Sequence, residues 1–220
     1  MTRAEAATWA VVAVVLAGVV ALAALSRKSA PPAPAAGAAI ESAGLAPEKK
    51  SELLDGPAGE LGDLPCVERS GKAMRTADLR GRFVVANFIF TSCAGTCPPM
   101  TTQMAALQKD VASMDDVRLV SFTVDPERDT PAVLTEYADR YGADKERWLF
   151  LRCETSVIQE IGHDRLKLVP QKDDLFMHSP LFALMDREGK VRAFYAALRD
   201  EKWRRKLLAD LDTLRGEPSK

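Results

Sequence analysis

Cys93 and Cys97 stand four residues apart in the stretch Thr91-Ser92-Cys93-Ala94-Gly95-Thr96-Cys97-Pro98. Side chains at this spacing face the same side of a helical turn, so the two sulfurs can meet. A helix N-terminus offers free N–H groups and a partial positive charge, which favour thiolate over thiol. Thiolate is the form that attacks disulfides and binds soft metals. Three chemistries are therefore open: thiol–disulfide exchange, a soft-metal site, or an inert buried or disulfide-bonded pair. Cu(I) and Zn(II) suit a thiolate pair, with Cu(I) favoured where other ligands are few. A solvent-side loop is an odd place for inert thiols. Only two histidines, His163 and His178, occur in the chain, which excludes a His-rich metal cage.

The elements around this stretch read as an alternating α/β domain. Phe83–Phe90 is a continuous apolar, β-rich run, as expected of a strand buried on both faces. After the cysteines, Pro98 or Pro99 suits a first helical turn, and Met100, Met104, Leu107 and Val111 recur at helical spacing. That spacing marks Met100 and Met104 as core residues rather than thioether ligands. Val117–Asp125 reads as a second buried strand. Thr130-Pro131 opens a helix carrying Leu134, Tyr137, Ala138 and Tyr141, and Gly142 stops it. Trp148–Leu151 is a short strand and Thr155–Gly162 a helix. Leu181–Asp186 and Val191–Tyr195 form a hairpin, and residues 201–214 form an amphipathic helix with Trp203, Leu207, Leu211 and Leu214 on one face. The order β-α-β-α-β-α-β-β-α predicts a thioredoxin-like sheet with helices on both faces.

Length and composition set the frame for that domain. The 220 residues suffice for one domain and additional segments, and 47% hydrophobic residues supply a sizeable core. Thirty basic and 31 acidic side chains nearly cancel, so no nucleic-acid partner is expected. Four cysteines are too few for a disulfide scaffold. Residues 6–25 hold no charge and are long enough to span a bilayer, which predicts an N-terminal transmembrane anchor. A cleaved signal peptide with Ala21-Leu22-Ala23 as its cleavage signal is the alternative. Residues 26–50 form an Ala/Pro-rich linker, a flexible tether to a domain over 51–216. Five residues ahead of the apolar run leave no room for an organelle presequence. The expected location is thus a bacterial inner membrane, single-pass, with the domain facing the periplasm or cell exterior.

The blocks FIFTSCAGTCPPMTTQMAALQ, VRLVSFTVDPERDTPAVLTEYADRYG, WLFL and HSPLFALMDREGKVRAFY resemble, in order, the Sco/SenC family over about residues 60–215. These are membrane-tethered, thioredoxin-like copper proteins that assist assembly of the copper centre of cytochrome c oxidase. The resemblance implies a single copper ion, Cu(I) or Cu(II), held by Cys93, Cys97 and His178. It implies as partners a copper donor protein and the copper-containing oxidase subunit. Two thiolates and one imidazole suit three-coordinate Cu(I). His163 has no matching role and reads as a surface residue, and Met177 remains undecided between ligand and packing.

Asp125 ends the second buried strand, where α/β proteins place functional groups, and it could orient the site from behind the ligands. Asp129 and Thr130 read as a capped turn entering a helix. Pro180 departs from the pattern the resemblance leads one to expect. It fits either the proline beside the cysteines of thiol–disulfide oxidoreductases or a proline at the start of a strand. Cys66 and Cys153 also depart from it. Both read as small core residues, with a second disulfide as the alternative. Two functions result: copper delivery, or an oxidoreductase in which Cys93 attacks and Cys97 resolves.

Overall fold

The computed structural model describes residues 52–54, 56–166 and 180–217. The expected anchor and linker, together with Met177 and His178, lie outside the described residues. Among the described residues no helix is long and apolar enough to cross a membrane.

Among the described residues one eight-stranded sheet organises the domain, in the order β1-β8-β7-β4-β5-β6-β2-β3. The strands are β1 (Glu52–Leu53), β2 (Pro65–Glu68), β3 (Ala73–Arg75), β4 (Phe83–Ile89), β5 (Val117–Thr123), β6 (Trp148–Arg152), β7 (Leu181–Met185) and β8 (Val191–Ala196). The helices are α1 (Cys97–Asp110), α2 (Pro131–Arg140), α3 (Thr155–Gln159) and α4 (Trp203–Arg215). A 3-10 turn covers Thr76–Leu79, and π-helical turns over Glu160–Arg165 continue α3. The helix expected over Thr155–Gly162 is therefore present, α-helical to Gln159 and π-helical from Glu160 to Arg165. His163, expected at the surface, is half-buried in that π-helical segment.

β4, β5 and β6 run parallel, while every other strand pairing among the described residues is antiparallel. Every residue of β4 is buried, as its unbroken apolar run predicts for a central strand covered on both faces. Alternate side chains of β4 serve different layers. Phe83, Val85 and Ile89 pack with Met100, Met104 and Leu107 of α1, Leu134 and Tyr137 of α2, and Trp203, Leu207 and Leu211 of α4. Val84, Ala86 and Phe88 face the other way, toward Ile158, Ile161, Cys66 and Cys153. Met100 and Met104 are fully buried, in agreement with their reading as core.

The sequence pattern did not reveal the N-terminal strands. β2 and β3 form a hairpin whose first strand pairs antiparallel with β6, Val67 opposite Arg152 and Glu68 opposite Leu151. Continuing that register by one residue sets Cys66 opposite Cys153. Their Cα atoms are 4.3 Å apart, near the close spacing of a non-hydrogen-bonded antiparallel pair, and their sulfurs are joined. The reading as two separate core residues is therefore corrected: they are buried, but as a disulfide.

The turn chemistry agrees with the sequence. The Thr130 hydroxyl accepts from the Val133 N–H at the start of α2, with Pro131 in the first helical position. Gly189 closes the β7–β8 turn at φ 83°, a backbone region that glycine adopts without steric cost.

Candidate functional site

The site forms where β4 leaves the sheet. The Cys93 N–H donates to the Phe90 carbonyl at 3.2 Å, which turns the chain sharply after the strand. The chain reaches Cys97, the first residue of α1, with Pro98 and Pro99 directly behind it. Proline fits there because it lacks an N–H that would have no partner in a first helical turn. The Cys97 N–H is retained, and it donates to Cys93 Sγ at 3.4 Å. The positive end of the helix thus points at the Cys93 sulfur.

The two thiols sit in different surroundings. Cys93 is half-buried, whereas Cys97 is only 4% exposed. Burial pushes the Cys97 thiol up to about 12 from 9.0, with Cys93 and the Asp129 charge adding to the rise and a Phe90 backbone hydrogen bond opposing it. Cys97 therefore keeps its proton at neutral pH in this arrangement, and a metal binding its sulfur must displace that proton. The first turn of α1 is also tied to α2. The Thr101 hydroxyl donates to the Cys97 carbonyl at 2.8 Å and shares a hydrogen bond with the Tyr137 hydroxyl at 2.7 Å. Burial raises the Tyr137 phenol, which stays neutral.

Of the expected site residues, the structure brings Cys93 and Cys97 together. Among the described residues no third His, Cys, Asp or Glu joins them in a metal-binding cluster. Pro180 is half-buried and immediately precedes β7. Because β7 runs antiparallel to β4, Pro180 lies toward the end of the sheet where β4 delivers the cysteine loop. Asp125, expected behind the ligands, is paired with Arg128 at 3.7 Å, and its backbone N–H donates to the Thr123 hydroxyl. It makes no hydrogen bond to either cysteine.

The acidic residue that reaches the cysteine loop is Asp129, which the sequence presents as part of a capped turn. Asp129 is fully buried. Its carboxylate accepts from the Thr91 N–H at 3.1 Å, from the Thr91 hydroxyl at 2.5 Å and from the Thr123 hydroxyl. Thr91 is two residues before Cys93, and Thr123 ends β5. Nothing in the string Asp125-Pro126-Glu127-Arg128-Asp129 separates its two aspartates. Only the turn that folds Asp129 back, its N–H on the Asp125 carbonyl at 2.9 Å, distinguishes them.

Comparison with known proteins agrees with this architecture. A family model described as SCO1/SenC matches residues 60–214. A SCO1 protein homolog from Bacillus subtilis (strain 168) is 37% identical over 132 residues, 58% of this chain and 68% of the relative. BsSco, a member of the Sco family of cytochrome c oxidase assembly proteins in which a disulfide switch was identified, superposes with a TM-score of 0.64. It is 29% identical, and the match covers 76% of this chain and 99% of that one. Bradyrhizobium japonicum ScoI with copper bound superposes at a TM-score of 0.55 and 25% identity, over 70% of this chain and 98% of that one.

Proposed function

We infer function from one premise: the chain belongs to the SCO1/SenC family. We propose that it is a copper chaperone that takes up one copper ion, Cu(I) or Cu(II), and passes it to the copper-containing subunit of a cytochrome c oxidase. The observation that carries this reading is the dithiol at the start of α1. Cys93 Sγ and the Cys97 backbone meet at 3.4 Å, with both thiols free, while the other two cysteines are consumed in a disulfide. Two soft sulfurs on one turn fit Cu(I), and an imidazole completes a three-coordinate site that also tolerates Cu(II). His178 is the proposed third ligand. It stands two residues ahead of Pro180, whose position before β7 supports the assignment.

Copper is cargo here, acquired from a donor protein and released by ligand exchange. Cys93 is the more accessible sulfur and would meet the incoming ion first. Cys97 would then give up its proton to the solvent as its sulfur binds. A Cys93–Cys97 disulfide removes both sulfur ligands, so the oxidised form cannot carry the ion.

Anchoring through residues 6–25 and the linker over 26–50 belongs to the same proposal, with the domain on the outer side of a bacterial inner membrane. The Cys66–Cys153 disulfide supports that side, because such bonds persist in oxidising compartments.

The difference between the two thiols supports a second reading. A Cys93 thiolate attacking a partner's disulfide would form a mixed disulfide and release one partner thiolate. Cys97 would then displace the partner's second sulfur, leaving Cys93–Cys97 oxidised and the partner reduced by two electrons. Reducing a client's copper-binding cysteines would also serve oxidase assembly.

Anaerobic titration of the reduced protein with Cu(I) against a competing chelator tests the first reading. One tight equivalent is expected, abolished by Cys93→Ser or Cys97→Ser and weakened by His178→Ala. Weak binding indifferent to these changes would refute copper carriage and leave thiol exchange.

A further inference from the structure

We propose that Asp129 is the positioning residue of the cysteine loop, holding Cys93 in register with the start of α1. The inference rests on the reading of Cys93 and Cys97 as the functional pair. Asp129 comes from the loop after β5, whereas Cys93 comes from the loop after β4. The two strands pair in parallel as far as Ile89 and Thr123, and the Val124 N–H reaches the Ile89 carbonyl at 2.9 Å, so the loops leave the sheet side by side. Beyond Ile89 the Cys93 N–H on the Phe90 carbonyl turns the loop from within, and Asp129 ties it to the neighbouring loop. One carboxylate oxygen accepts from the Thr91 hydroxyl at 2.5 Å, and the other accepts from the Thr91 N–H at 3.1 Å and from the Thr123 hydroxyl.

The arrangement is costly unless each bond is made. A carboxylate with no solvent exposure requires donors on both oxygens, and here all of them come from the two site-forming segments. Thr91 contributes backbone and side chain together, which fixes the orientation of its peptide as well as its position. Two residues later the chain presents Cys93, whose sulfur must stay within reach of the Cys97 N–H. Groups behind metal or redox ligands commonly act in this way, by restricting the ligand to one geometry.

The test uses the full-length chain and begins without metal. The Cys93–Cys97 dithiol–disulfide equilibrium is measured against glutathione for wild type, Asp129→Asn, Thr91→Val and Thr91→Ser. Thr91→Val removes the hydroxyl donor but leaves the carboxylate charge and the Thr123 contact, so it carries the test even if Asp129→Asn fails to fold. Asp129→Asn and Thr91→Val are expected to move the equilibrium about tenfold toward the disulfide, the order expected when a charge-assisted hydrogen bond is lost from the dithiol form. Thr91→Ser, which keeps the donor, should stay near wild type. An equilibrium unchanged in Thr91→Val, with only the urea midpoint lowered, would overturn the proposal, because a purely structural role predicts that pattern. In the companion Cu(I) competition with bathocuproine disulfonate, the two disruptive variants should bind about 10–100-fold more weakly than wild type. A wild type that bound no Cu(I) would refute copper carriage, while the glutathione equilibrium would still decide the role of Asp129.

Discussion

Replacing Cys66 and Cys153 together by alanine removes a covalent tie between β2 and the residue that follows β6, across 87 residues of sequence. That span contains β3, β4, β5, α1 and α2. Closing a loop of this length restricts the unfolded chain, and the loop-entropy relation places the effect at about 4.5 kcal/mol near room temperature. Native stabilities of about 5–15 kcal/mol make this a large fraction of the total. The cost should fall on the whole fold rather than on one edge, because β6 belongs to the parallel core of the sheet and supplies Trp148 and Phe150 to the main cluster. The assay is equilibrium urea unfolding followed by tryptophan fluorescence, with wild type kept oxidised. For an m-value of about 2 kcal/mol/M, the midpoint of the double variant should fall by about 2 M. The Cu(I) stoichiometry measured in native buffer should remain at one, because the disulfide pair is separate from Cys93 and Cys97. A loss of stability below about 1 kcal/mol would refute the reasoning, since it is far under the chain-entropy value for so long a loop.

Two further outcomes follow from the local environments. In the reduced native protein, iodoacetamide should modify Cys93 well before Cys97, because Cys97 is 4% exposed and its thiol is pushed up to about 12. Peptide mass spectrometry that found both labelled at equal rates would contradict this environment. The second outcome concerns acid stability. Asp116 accepts from Arg215 at 2.6 and 3.0 Å and from Arg187 at 3.1 Å, and the Arg215 hydrogen bonds hold its carboxyl below the usual 3.8. A depressed folded-state value stabilises the fold fully above the unfolded value, and the contribution disappears as pH falls through the folded value. Urea midpoints of wild type and Asp116→Asn should therefore differ at pH 6 and converge below about pH 3.8. A gap that stayed constant across that range would show that the ion pairs are not its source.

The central layers of the fold were legible because they follow from periodicity and turn chemistry. A seven-residue strand buried on both faces must be apolar throughout, and Phe83–Ile89 is. Met100, Met104 and Leu107 at helical spacing placed the same face of α1 on the sheet, and Thr130-Pro131 marked the entry of α2. The cysteine pair was legible for a similar reason, since its spacing and its place between a buried strand and a proline-led helix are local facts. The N-terminal strands escaped this reading. β1, β2 and β3 are only two to four residues long, too short to show a period.

What the sequence determined by itself is therefore the alternating α/β order, the apolar face of each helix, and a dithiol at a strand-to-helix turn. Each depends on interactions between residues a few positions apart. What the tertiary structure alone decided depends on pairings between distant segments. The register of β2 on β6 brought Cys66 against Cys153 and made a disulfide of two residues that read as separate packing. The side-by-side exit of β4 and β5 put the Thr91 donors against Asp129 rather than Asp125. Burial also raised the Cys97 thiol to about 12, a value set by distant packing, whereas Cys93 as the accessible, attacking thiol was already legible.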